Sequence, residues 1–339
     1  DIGNVYVKGN ISSDGTQYLV DIPAVAARMP RPNMLPTDDS SAGETVSTDW
    51  FNNLDVTFNT RVVSDNYRRL IGNRALSADG SLEDFRVEGH QVKTEQNLSR
   101  VLTLGLLAGA GLKSYVDTHN SVPRNLDISA VVALALPIDD YLKYGDHYRD
   151  IYENHTHTMT INNFLTPVVV NITFKGVITI AEGASALYAL LGVGTDLLGP
   201  VVDKLRDENP EVFADITAAD LASAENIVGV DIGEGTVNLP VFTSGKFNAD
   251  ASRSHPQGYG NVLEGALESM HDAGIDMYSS RKELSEFLRS EPTKLQRSRY
   301  NTVKSYVDEV AKFFADEVAQ KFASVMYAVG GITEIVYIY

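Results

Sequence analysis

The chain contains no cysteine among its 339 residues. That excludes disulfides and thiolate metal sites and leaves zinc only histidine and carboxylate ligands. Basic residues are also scarce: 28 Lys and Arg stand against 45 Asp and Glu, a formal net charge of -17. Binding along a nucleic-acid backbone relies on clustered Lys and Arg, so a broad nucleic-acid surface is excluded and any link to DNA calls for an adaptor. No apolar run reaches the ~18 residues of a membrane-spanning helix; stretches 101–112 and 128–137 are too short and read as core elements. The N-terminus also lacks the basic region and apolar stretch of a secretory signal, and the expected compartment is the cytoplasm.

What the chain does have is a repeated turn. It opens on Asp1-Ile-Gly-Asn-Val-Tyr-Val-Lys8, and Val228-Gly-Val-Asp-Ile-Gly-Glu-Gly-Thr-Val-Asn-Leu-Pro-Val-Phe242 carries a second Asp-Ile-Gly. A strand that ends in Asp, turns through glycine and re-enters as a second strand aims backbone N–H groups and a carboxylate at one spot. That spot suits nucleotide phosphates and their magnesium ion. A single turn of this kind occurs in ordinary hairpins. A pair, one per half, points to a duplicated fold that clamps the phosphates between two hairpins, and the chain length suits two domains better than one core.

Between the turns, residues 17–27 read as a short strand and turn, 30–48 as a polar loop, and 54–63 as a strand. Residues 94–118 form a helix with Leu98, Val101, Leu102 and Leu106 on its apolar face, and a buried strand follows at 128–136. A charged, aromatic helix is expected at 141–154. His155 and His157 would share one face of an exposed strand, a metal-binding spacing without a third ligand nearby. Strands follow at 168–174 and 177–180, then a helix of small residues from Ala181. Near the C-terminus Val303, Tyr306, Val307, Val310, Phe313, Phe314, Val318, Phe322 and Val325 recur at helical spacing, as on a helix packed against its own sheet or, less commonly, along a coiled-coil seam. Arg281, Lys282, Arg289, Lys294, Arg297 and Arg299 form a basic cluster, either a solvated face or a surface for an acidic face of another subunit.

The two turns resemble the phosphate loops of the actin, sugar-kinase and heat-shock-chaperone superfamily of ATPases. The order of features resembles the plasmid-segregating bacterial actins, the ParM family, from end to end: first loop, a strand closing in Leu134-Ala-Leu-Pro137, Lys175-Gly-Val-Ile-Thr-Ile-Ala-Glu-Gly183, second loop, Gly258-Tyr-Gly-Asn261 before a helix, and a long helix ahead of the last strand. The resemblance implies an α/β, actin-like (ribonuclease H-like duplicated) fold of two domains with a nucleotide cleft between them. Residues 1–182 would form domain I, with a small outer subdomain at about 17–95, and 183–339 domain II, with one at about 245–300. In such families the last strand is followed by a glycine-rich loop against adenine and ribose and a helix returning to domain I. The chain ends on that strand and is expected to be a trimmed segment. Residues 191–226 exceed the family's usual link.

By the same resemblance the cofactors are ATP or ADP and magnesium. Asp1 and Asp231 would hold the ion through its water shell. Lys8 would reach the β and γ phosphates as a point charge. Gly3, Asn4, Val5, Gly233, Glu234, Gly235 and Thr236 line the two loops, with backbone N–H groups of Gly3, Asn4, Gly233, Glu234 and Gly235 donating to phosphate oxygens; Gly258 and Gly260 are further nucleotide contacts. Glu182, where actins place a Gln and many ParM proteins a Glu, is the candidate for orienting the attacking water; a helix-start carboxylate is its plainer reading. Asp231 and Asn238 complete the catalytic candidates.

The expected function is that of an ATP-hydrolysing actin homologue that assembles head to tail into dynamic filaments and segregates plasmid DNA through a DNA-binding adaptor, with no membrane contact. A sugar or small-acid kinase would need an Asp base for the substrate hydroxyl, and no motif supplies one. A nucleotide-binding scaffold that no longer hydrolyses is the other alternative, against which Glu182 argues.

Overall fold

The computed structural model describes residues 2–29, 46, 49–86, 92–193 and 195–339. The chain divides into two compact units, Asp1–Leu136 with Lys143–Ile180, and Pro137–Leu142 with Ala181–Tyr339. Most of the polar stretch 30–48, and Asp1 itself, lie outside the described residues.

In the first unit, β1 (Tyr6–Ser13) and β2 (Thr16–Pro23) form an antiparallel ribbon with Lys8 opposite Asp21. Asp14 and Gly15 close it at φ 49° and 81°, the left-handed pair that an Asp-Gly hairpin turn requires. A separate sheet holds β3 (Ala26–Arg28), β4 (Asp55–Asn59), β5 (Arg68–Ile71), β6 (Ser81–Glu83), β7 (Asn125–Leu136), β8 (Thr156–Ile161) and β9 (Val168–Ala181), in the order β6-β3-β5-β4-β8-β9-β7. Helix α1 (Asn97–His119) buries Leu98, Val101, Leu102 and Leu106, as its periodicity predicts. Its glycines permit close approach, since a Cβ on Gly105 would stand 2.6 Å from Ile71 Cδ1. Inside the sheet Arg68 makes a two-pronged pair with Asp55, and both are buried, so neither charge is left uncompensated.

Three local expectations change. The strand read as buried at 128–136 is an edge strand whose residues mostly alternate between exposed and half-buried; only Leu134 and Leu136 are buried, and Val131 is 71% exposed. An apolar run does not distinguish a central strand from an edge. The strand read at 54–63 stops at Asn59. The exposed strand expected at His155 and His157 is also corrected, because His157 is wholly buried. Its Nδ1 pairs with Thr60 Oγ1 at 2.8 Å and its Nε2 with the Tyr152 carbonyl at 3.1 Å, so both ring nitrogens are engaged; burial holds its pKa below the usual histidine range.

The second unit is built on β10 (Ile227–Ile232), β11 (Val237–Leu239), β12 (Val241–Thr243), β13 (Lys246–Phe247), β14 (Arg253–His255) and β15 (Ile335–Ile338). The order is β13-β12-β10-β11-β14, with β15 parallel to β10. Helix α2 (Ile138–Glu153) contributes its first turn to this unit. Helices α3 (Ala184–Val193) and α4 (Thr195–Glu208), with short helices Pro210–Phe213 and Ala218–Ala222, occupy the long stretch after Glu182, where Leu198, Val202 and Leu221 make a small core. Then come α5 (Tyr259–Asp272), α6 (Arg281–Arg289) and α7 (Arg297–Val329).

Helix α7 has 33 residues and is therefore about 50 Å long. Val303 and Val307 pack with Leu263 of α5 and Leu284 of α6, whereas Val325 and Val329 pack on the sheet with Val228, Val230 and Leu239. Phe314 touches both clusters. Phe313, assigned to the apolar stripe from spacing, is instead 70% exposed.

Candidate functional site

The two Asp-Ile-Gly segments fold into the same turn. In the first, Ile2 bridges Val7 and the Gly3 N–H donates to the Tyr6 carbonyl at 2.9 Å. In the second, Ile232 pairs with Val237 and the Gly233 N–H donates to the Thr236 carbonyl at 3.0 Å. Glycine is required at both corners by close approach: a Cβ would stand 2.7 Å from the Tyr6 oxygen at Gly3 and 3.0 Å from the Thr236 oxygen at Gly233. These bonds occupy two N–H groups that sequence reasoning had assigned to phosphate. Among the described residues no partner takes the N–H of Asn4 or Val5 in the first turn, or of Glu234 or Gly235 in the second. Lys8 lies exposed on β1, beyond the first turn.

In the second unit the predicted residues converge. Gly183, at φ 78°, turns the chain from β9 into α3 directly after Glu182. A side chain there would meet Pro240 Cγ at 3.1 Å and Asp231 Cβ at 3.2 Å, so the glycine lets the Glu182 corner sit against the Asp231 strand. Asp231 and Asn238 face each other across β10 and β11. Asn238 is 1% exposed, and its Nδ2 lies 3.4 Å from Glu182 Oε2. From the other side the Tyr339 hydroxyl donates to the Gly183 carbonyl, while β15 hydrogen-bonds to the end of β10 through Tyr339 N–H to Val230 and Ile232 N–H to Tyr339. Burial, and next the Asp231 charge, push the Tyr339 phenol well above its ordinary pKa.

Gly258 and Gly260 brace the second turn through the backbone. The Tyr259 N–H donates to Gly233 O at 2.9 Å and the Gly260 N–H to Glu234 O at 2.8 Å, while the Gly258 N–H donates to Asn261 Oδ1 at 3.0 Å. A Cβ on Gly258 would stand 2.4 Å from Gly233 O and 2.5 Å from Glu234 C. The Gly-Tyr-Gly segment thus starts α5 flush against the turn, and the N–H groups of both glycines are taken. Glu234 turns its carboxylate toward Arg281, 3.9 Å away; burial pushes the Glu234 pKa up and the Arg281 and Arg289 charges draw it partly back. Two members of the basic cluster therefore act within their own unit, since Arg299 also lies over the Tyr278 and Phe287 rings.

The second unit's set is one carboxylate on a turn with open amides (Asp231), a second carboxylate on an adjacent corner (Glu182), and a buried amide touching it. Amide donors that no described residue engages, beside a carboxylate, suit a polyphosphate with its magnesium; the amides would take phosphate oxygens and Asp231 the water shell of the ion. Sequence reasoning missed Ser254, whose hydroxyl donates to Asn238 Oδ1 at 2.8 Å, and also Gly183, Pro240 and Tyr339; only Gly183, following Ala-Glu at a helix start, left a local signal.

No protein-family model and no curated protein matches the sequence. Solved structures do match. The actin-like protein Alp7A is 16% identical, with a TM-score of 0.63 over 96% of this chain and 78% of that one. A pCBH ParM, solved as a non-polymerisable quadruple mutant, is 15% identical, with a TM-score of 0.61 over 99% and 85%. The Bacillus thuringiensis ParM with ATP is 13% identical, with a TM-score of 0.52 over 99% and 84%.

Proposed function

On the premise that this chain has the actin-like fold, which it shares with ParM proteins and Alp7A, we propose that it binds ATP with magnesium through its phosphate turns, hydrolyses it, and polymerises head to tail into filaments. The observation that carries this reading is the matched pair of turns, Ile2–Val7 and Ile232–Val237, with Glu182 and Asp231 gathered at the second. Asn4, Val5, Glu234, Gly235 and Thr236 offer backbone to the phosphates, Lys8 a positive charge, and Asp231 a magnesium contact; Asp1 is proposed as the first loop's counterpart. Bound magnesium neutralises polyphosphate charge.

Glu182 orients the water that attacks the γ phosphate. ATP favours the assembled state and hydrolysis loosens it, a switch that open head-to-tail contacts turn into a dynamic polymer. Structural neighbours solved with ATP, and as a non-polymerisable mutant, support nucleotide binding and assembly. Plasmid segregation through a DNA-bound adaptor, in the cytoplasm, is the cargo reading; the net charge of -17 favours an adaptor over direct DNA contact. Among the described residues no single helix is long and apolar enough to cross a membrane. Residues 17–95 and 245–300 are proposed as the small outer subdomains.

The deciding experiment follows phosphate release and pelleting on the same samples with magnesium and ATP. Glu182→Gln is expected to slow release about 10²-fold or more while ATP affinity stays nearly unchanged and filaments persist. A protein that stays monomeric with ATP while phosphorylating a sugar would establish the kinase reading instead.

A further inference from the structure

The orientation of the buried Asn238 amide is fixed by a donor that cannot accept. The backbone N–H of Ile138 lies 3.2 Å from Asn238 Oδ1, and a backbone N–H can only donate, so that end of the amide is oxygen and the other is nitrogen. The Ser254 hydroxyl, directly opposite Asn238 in the β11–β14 register, donates to the same oxygen at 2.8 Å. Ser254 Oγ in turn lies 3.4 Å from the Asp139 N–H. On the far side Nδ2 faces Glu182 Oε2 and Thr236 Oγ1, each at 3.4 Å. Asn238 is 1% and Ser254 6% exposed, and every polar position on the amide has a protein partner.

We infer that Asn238 and Ser254 are positioning residues acting in series: Ser254 and the start of α2 hold the Asn238 amide, and that amide holds the Glu182 carboxylate where it orients the attacking water. The inference rests on the ATPase reading above. Asn238 is one of the catalytic candidates read from the sequence; its two amide hydrogens are directed at Glu182 and Thr236 and its oxygen at Ile138 and Ser254, which leaves it nothing to offer a water. Its effect on the reaction passes through Glu182.

The test uses the purified protein with magnesium and ATP. Asn238→Asp removes the donor to Glu182 but keeps the acceptor that Ile138 requires. Ser254→Ala removes the hydroxyl, and Ser254→Thr restores one. Steady-state phosphate release is expected to show kcat lowered about tenfold or more in Asn238→Asp and severalfold in Ser254→Ala, with KM within about twofold of the parent and Ser254→Thr close to it. A merely structural role would instead lower the melting temperature and the active fraction while leaving kcat per folded molecule intact. Unchanged kcat in folded Asn238→Asp overturns the inference. A second readout does not depend on hydrolysis: in isotope-labelled protein the side-chain amide resonance of Asn238, identified by its loss in Asn238→Asp, is expected to shift in both Glu182→Ala and Ser254→Ala. A resonance that neither substitution moves also overturns the inference, whatever the protein hydrolyses. Shifts in a protein that hydrolyses no ATP would overturn the ATPase reading and leave the clamp standing.

Discussion

Gly3 donates to Tyr6 as Gly233 donates to Thr236, and Ile2 meets Val7 as Ile232 meets Val237, yet the next residue along differs in kind: Lys8 is exposed and Asn238 is buried. Their surroundings explain the difference. The first turn leads into a two-stranded ribbon, where one face of β1 is open to solvent and a cation can stand. The second turn leads from β10, flanked by β11, β12 and β15, and it is braced by the glycines that start α5. One turn geometry therefore stands in two different settings. On the proposed function, the first hairpin carries the Lys8 charge toward the phosphates. The second is a rigid platform, preorganised by backbone bonds and a satisfied buried amide.

The largest effect is expected from forcing the first hairpin's residue onto the second. Asn238→Lys buries an amine and strips Ile138 and Ser254 of their acceptor, which should cost about 3 kcal/mol or more in urea denaturation, mostly as a shift in midpoint. A variant as stable as its parent would show that the second hairpin tolerates what the first carries. Next comes the brace. Gly258→Ala places a methyl against Gly233 O and Glu234 C, both backbone, and should destabilise by about 1–3 kcal/mol and weaken nucleotide binding in calorimetry. Gly15→Ala, in the turn that joins β1 to β2, meets no atom within 4 Å and bears only the strain of φ 81°, so it should leave nucleotide affinity unchanged. The smallest effect belongs to the exposed cation. Lys8→Ala should raise the dissociation constant for ATP about tenfold, more at low salt than at high, without changing the melting temperature. Equal losses at all salt concentrations would mean that Lys8 acts through structure and not charge.

The parts of the molecule that could be read from sequence were those whose signal is local. The duplicated Asp-Ile-Gly turns, the apolar face of α1 and the Asp231–Asn238 hairpin follow from turn chemistry and helical period. What escaped depends on partners far along the chain. Ser254 reaches Asn238 from 16 residues away and Ile138 from 100, and neither distance leaves a mark in a sequence window. His157 read as exposed because a lone strand residue does not reveal that Thr60 and Tyr152 enclose it. Gly258 and Gly260 were assigned as nucleotide contacts; their packing against the backbone of the neighbouring turn is a further constraint that spacing alone does not reveal. Leu191 to Asn226, read as an overlong link, turned out to carry its own small core.

Helix α7 belongs to two cores at once, anchored by Val325 and Val329 on the sheet that carries the second turn and by Val303 and Val307 among α5 and α6. A helix about 50 Å long packed near both ends behaves as a beam. It makes the outer helices and the inner sheet share strain, so that a displacement of α5 where it abuts the turn is resisted at the far end of the unit, and a load applied to the outer helices is felt beside Asp231. The outer helices and the second turn are thereby joined by a single element.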